Sequence, residues 1–161
     1  MSGLTRDDRA MKRIALIATA LTLAVPGIAE AKQKFKTTKS SGIIKGHFAQ
    51  PPTLEGYAFS GFLSDSKLGE GAVTTQGTID GTTTSGGLIA FFDKGTVRGS
   101  FEFTLTTNPD GTLGFDGTIK FRGGTGAYKG ARGSGETTGT QDADGYTTFE
   151  YNQKLKLPKK K

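Results

Sequence analysis

The chain has 161 residues, a net charge of +6, 25 glycines, 11 phenylalanines, one histidine, no tryptophan and no cysteine. The missing cysteines exclude a disulfide framework, a lipid-anchored cysteine and a thiolate metal centre. With a single histidine there is no conventional zinc or haem site, so neither a metal nor a cofactor is expected.

Met1–Ala31 reads as an export signal. Met1 to Arg13 is charged, Ile14 to Val25 (IALIATALTLAV) is apolar, Pro26-Gly27 breaks the run, and Ala29-Glu30-Ala31 offers the small residues a signal peptidase reads. The apolar run is shorter than the ~20 residues of a bilayer span, and either Met1 or Met11 can serve as the start. A secreted or periplasmic location follows. The remainder, Lys32–Lys161, is a common single-domain size and can bury a core without covalent staples.

Lysines crowd both ends of that remainder. Lys32, Lys34, Lys36, Lys39 and Lys45 stand at one, and Lys154, Lys156, Lys159, Lys160 and Lys161 at the other. Between Gly46 and Gln153 the acidic residues outnumber the basic ones twelve to seven. Residues 32–40 therefore read as a flexible basic segment and 158–161 as a basic tail, able to make weak contact with an anionic envelope. A single aromatic residue, Phe35, stands among these lysines, so nucleic acid is not an expected partner.

From Ser41 to Leu157 the apolar pattern has period two, and a single β domain is expected there. Thr96–Thr106 alternates Val97, Gly99, Phe101, Phe103 and Leu105 with Arg98, Ser100, Glu102 and Thr104. The turn Asn108-Pro109-Asp110-Gly111 then leads to a second alternating run, Leu113, Phe115, Gly117, Ile119 and Phe121. Further strands fall near residues 43–50, 57–63, 72–79, 84–92, 131–140 and 146–157. Eight antiparallel strands suit a closed barrel or a sandwich. Glycines on the apolar faces (Gly61, Gly99, Gly117) mark bends and close approaches, which favour the barrel.

"GGTGAYKGARGSG", Gly123 to Gly135, is not a phosphate loop. Lys129 lacks the preceding glycine and following hydroxyl of a Walker motif, and from Gly124 the third glycine of a dinucleotide fingerprint comes one position late. Instead "FRGGTGAYKGARGSGETTG", Phe121 to Gly139, resembles the signature region of the allene oxide cyclase barrel superfamily, which includes the plant dirigent proteins. The matching elements are Gly123-Gly124-Thr125-Gly126, then Tyr128, then Ala131-Arg132-Gly133. The resemblance implies an eight-stranded antiparallel barrel with a ligand-sized interior, often trimeric, and an arginine near the cavity at Arg132.

Catalytic chemistry has few carriers. His47 lies in a strand next to Phe48 and no nucleophile elbow accompanies it. Asp142-Ala143-Asp144-Gly145 is a turn rather than a calcium loop. Glu102 and Asp116 belong to a polar outer wall. Arg132 and Glu150 are the acid, base or anion-clamp candidates, provided that they point inward. An apolar interior lined by Tyr57, Phe101, Phe103, Phe115 and Tyr151 would hold a small hydrophobic ligand. Leu88–Phe92 (LIAFF) is apolar on both faces, which predicts a homo-oligomer, a trimer by the resemblance, through that strand. Three readings stand: a hydrophobic-ligand binder, an isomerase, cyclase or dirigent-like protein acting on a reactive intermediate, and a filled barrel acting as an envelope interaction module.

Overall fold

A computed structural model describes residues 33–48 and 56–159. The expected export signal, Met1–Ala31, lies outside the described residues, as do Lys160 and Lys161. The chain runs through eight strands: β1 (Phe35–Phe48), β2 (Tyr57–Asp65), β3 (Gly69–Asp80), β4 (Thr83–Phe92), β5 (Gly95–Thr107), β6 (Leu113–Gly124), β7 (Arg132–Gln141) and β8 (Tyr146–Pro158). Each pairs antiparallel with the next, and β8 pairs with β1 to close a barrel. The all-β barrel expected from the alternation is therefore the observed fold.

Register fixes the barrel's width. Passing from Thr38 through its partners Leu155, Gly133, Phe121, Gly99, Leu88, Thr75 and Phe59 leads back to β1 at Phe48, ten residues further along. Strand number and this stagger together set the tilt and diameter of a barrel, and eight strands leave an interior that side chains can just fill. One irregularity interrupts the ladder, a register shift between Arg98 and Gly99 that leaves Arg122 as the extra residue on β6.

β1 begins earlier than the sequence suggests. Residues 35–40, expected within a flexible basic segment, pair with residues 153–158 of β8. Their inward positions carry Thr38 and Ser40 and their outward ones Thr37 and Lys39, so the strand alternates without the apolar residues that would reveal it. Pro158 likewise ends β8 instead of opening a tail.

Most apolar side chains face inward, with Ile43, Phe62, Ile89 and Phe91 exposed on the outside. Phe59, Leu63, Val73, Leu88, Val97 and Leu155 are buried, while lysines, threonines and serines cover the outside. This is the inverse of a membrane-spanning barrel, whose outer band is apolar. Among the described residues no helix is long and apolar enough to cross a membrane.

The barrel has two ends. The near end carries the β2–β3 and β4–β5 turns and the β6–β7 loop; the far end carries the β3–β4, β5–β6 and β7–β8 turns. The glycine-rich stretch forms the near-end loop. Gly126 takes φ +55° and opens a short 3-10 turn, Gly126–Tyr128, a conformation open to glycine and costly for other residues. The loop is tied to its neighbours: the Thr125 N–H donates to the Thr96 carbonyl at 2.9 Å, and the Ala127 N–H to the Lys94 carbonyl at 2.8 Å. Tyr128 then turns inward and packs edge-on against Phe92, with 5.7 Å between ring centres. The motif plugs a barrel end.

Candidate functional site

Inside the far half, aromatic rings stack against one another. Phe149 touches Phe59, Phe103 and Phe115 with ring centres 5.7, 5.6 and 5.2 Å apart, and Phe101 stacks on Phe103 at 4.9 Å. Phe48 and Tyr57 close this group toward the far end, 5.3 Å apart. Edge-to-face and offset arrangements of this kind add to the stabilisation from burial alone. The Tyr57 hydroxyl donates to Thr84 Oγ1 at 2.6 Å, and Thr84 donates in turn to the Thr78 carbonyl at 3.1 Å. Burial raises the Tyr57 pKa.

The near half holds a polar bracket that the sequence did not reveal. Asp65, only 5% exposed at the end of β2, accepts five hydrogen bonds. Its Oδ2 takes Ser40 Oγ at 3.0 Å, the Tyr151 hydroxyl at 2.9 Å and Gln153 Nε2 at 2.7 Å. Its Oδ1 takes the backbone N–H groups of Lys67 and Leu68, both at 2.8 Å. Gln153 also donates to Ser40 Oγ at 2.9 Å, so β1, β2 and β8 are joined through one carboxylate. A buried charge is tolerated only when satisfied in this way. Tyr151 reaches Asp65 across Gly42, whose missing side chain leaves the space its hydroxyl occupies. Burial above all, then the charge and hydrogen bond of Asp65, push the Tyr151 pKa well above the usual phenol range.

Between bracket and stack lies an apolar cavity of about 60 Å³. Tyr57, Phe101, Phe103, Phe115 and Tyr151, the residues expected to line a ligand cavity, all line it, together with Thr137, Phe149 and Gln153. Thr137 stands out. It is 2% exposed, faces the interior opposite Tyr151 in the β7–β8 ladder, and its Oγ1 has no hydrogen-bond partner among the described residues. An unpaired buried hydroxyl costs about 1–3 kcal/mol, so it calls for an explanation.

Arg132 and Glu150 are not brought to this interior. Both occupy outward strand positions and are exposed; Arg132 lies over the Phe35 ring, 5.4 Å from its centre. The reason is parity: inward positions on these strands fall to Gly133, Gly135 and Thr137, and to Phe149, Tyr151 and Gln153. Glu102 and Asp116 are exposed on the outer wall, and His47 packs edge-on against Tyr146 at 4.9 Å. The residues that sequence reasoning missed, Ser40, Asp65, Thr137 and Gln153, sit within polar runs such as "FLSDSKLGEG" and "YNQKLK". Their only signal is inward parity next to Leu63 and Leu155.

Leu88–Phe92 obeys the same rule. Leu88 and Ala90 point inward, while Ile89 and Phe91 are 40% and 46% exposed. Phe91 is in register with Ala72 and Ala72 with Phe62, which is 82% exposed, so an apolar row crosses β2, β3 and β4 on the outside.

The fold and interior thus define a closed, aromatic-filled antiparallel barrel with a small internal cavity. No family model matches the chain, and no curated protein matches it.

Proposed function

We propose that the protein is a binding barrel without catalytic chemistry, whose interior takes one small, largely apolar molecule carrying a single polar group. Thr137 carries the reading. A buried hydroxyl without a partner, facing an apolar cavity, is satisfied by an occupant that brings one hydrogen-bonding atom. The cavity's volume restricts the occupant. A dry cavity of roughly 150 Å³ takes a benzene ring, so a site of about 60 Å³ admits only a few heavy atoms unless rings move. The resemblance of Phe121–Gly139 to allene oxide cyclase and dirigent barrels supports the same use of the interior, in an exported protein.

Acid–base chemistry on a bound intermediate would run through Asp65 and Tyr151. Every hydrogen bond of the bracket is directed to another member of it or to the β2–β3 turn, which suits a structural brace. Self-association is supported by the row Phe62–Ala72–Phe91, which extends the apolar face of β4 across two further strands.

The test is retention. The purified full chain is incubated with a panel of short aliphatic alcohols and ketones of only a few heavy atoms, re-purified, denatured, and the released compounds are identified by mass spectrometry. Stoichiometric recovery of one compound, weakened at least several-fold by Thr137→Val, is the expected result. A folded barrel that retains nothing overturns the proposal, and a monodisperse monomer in light scattering overturns the self-association.

A further inference from the structure

Charge is sorted between the two ends. At the near end the β2–β3 turn carries Lys67, the β4–β5 turn Lys94 and the β6–β7 loop Lys129, all exposed. The start of β1 and the end of β8 meet there too, because the Lys159 N–H donates to the Lys34 carbonyl at 2.8 Å. At the far end the sign reverses. Asp80 leads into the β3–β4 turn, Asp110 lies in the β5–β6 turn, and Asp142 and Asp144 in the β7–β8 turn. Hydrogen bonds from the Thr112 side chain and backbone hold the Asp110 carboxyl below its ordinary range, keeping that turn negative in mild acid.

The meander produces this sorting. Successive turns fall at alternate ends, and along the chain the turn charges run Lys67, Asp80, Lys94, Asp110, Lys129, Asp142. The wall below the lysine rim is basic as well: Lys39 and Lys154 face outward directly opposite each other on β1 and β8. Like charges so placed reduce stability, and among the described residues neither forms an ion pair. Glu70 and Asp93 are the exposed acids at this end, and Glu70 accepts a hydrogen bond from Ser64.

We propose that the lysine-rimmed end docks flat on an anionic lipid bilayer, with the aspartate end directed away from it. The lysines lie around a closed rim, so a plane meets all of them while a linear polyanion crossing the rim meets only some. Leu68, Phe92 and Tyr128 plug this end, so docking leaves the internal cavity closed on that side. The opposed charge of the far end repels the same surface and fixes the orientation. Each lysine near an anionic leaflet adds about fivefold to partitioning.

The experiment uses the full chain and vesicles of phosphatidylcholine with or without phosphatidylglycerol, followed by co-sedimentation. Binding is expected only with phosphatidylglycerol, and to be lost at high salt. Lys94→Gln combined with Lys129→Gln is expected to lower partitioning about 25-fold, whereas Lys45→Gln, on the wall toward the far end, leaves it within about twofold. Because the chain has no cysteine, a single one introduced at Ser66 or at Asp144 can carry a depth-sensitive label. The Ser66 label is expected to be shielded by lipid and the Asp144 label not. Undiminished binding of the double variant, equal shielding of the two labels, or retention on dextran sulfate without vesicle binding would each overturn the proposal.

Discussion

The two halves of the barrel interior are built on different physics. The far half is a stack of rings around Phe149, held by burial and by edge and face contacts that fall off gradually with small displacements. The near half is a bracket around Asp65, in which each donor must reach one of two carboxylate oxygens at hydrogen-bond distance. The stack can be repacked by any side chains of suitable volume, whereas each partner lost from the bracket leaves a buried polar group less well satisfied. The cavity lies where these two systems meet, and Thr137 is the polar group that belongs to neither.

Substitutions should separate the halves. Phe149→Ala removes the ring that touches three others, and a loss of about 3–5 kcal/mol is expected from the denaturant midpoint; a loss below 1 kcal/mol would mean the stack is not the core. Asp65→Asn sets an amide against donors from Ser40, Tyr151 and Gln153. A loss of about 2–4 kcal/mol is expected, and a neutral result would show that the bracket does not carry buried charge.

Tyr151→Phe is milder at neutral pH, about 1 kcal/mol, because Asp65 keeps its other donors. Its signature is in alkali. The folded pKa of Tyr151 is raised above its unfolded value, so the native state keeps a proton that the unfolded chain loses above about pH 10. That stabilisation is complete below pH 10 and declines as pH rises beyond it. Tyr57 and Tyr128 are shifted in the same direction, Tyr128 by burial first and by the Asp65 and Asp93 charges second. Stability measured against pH should therefore fall less steeply above pH 10 in Tyr151→Phe than in the parent. Parallel curves would remove Tyr151 from the account.

Thr137→Val has the smallest effect and the opposite sign. Replacing an unpaired buried hydroxyl by a methyl of the same shape should stabilise the empty barrel by up to about 1 kcal/mol. Destabilisation would reveal a partner for the hydroxyl within the native protein.

Legibility followed the same division. The aromatic strands announce themselves, since Phe101-Glu102-Phe103 and Phe115 to Phe121 alternate without interruption and place their rings on one face. The first part of β1, residues 35–40, did not, because Thr38 and Ser40 make its inner face polar. Asp65 closes β2, and its Oδ1 accepts from Lys67 and Leu68 in the turn that follows. Its second oxygen serves residues 25 to 88 positions away, and no local pattern encodes that. Arg132 and Glu150 were candidates only on condition of facing inward, and strand parity puts both outside.

The sequence by itself determined strand content, turn positions and the in–out alternation, because period two and glycine-containing turns act over a few residues. Only the tertiary structure decided closure, register and which polar groups meet inside. Those follow from the ten-residue stagger around the barrel, which brings Ser40, Asp65 and Gln153 together from three strands and gathers alternate turns at opposite ends. The physical reason is that pairing partners are chosen by the whole closed sheet, while propensity is spent one strand at a time.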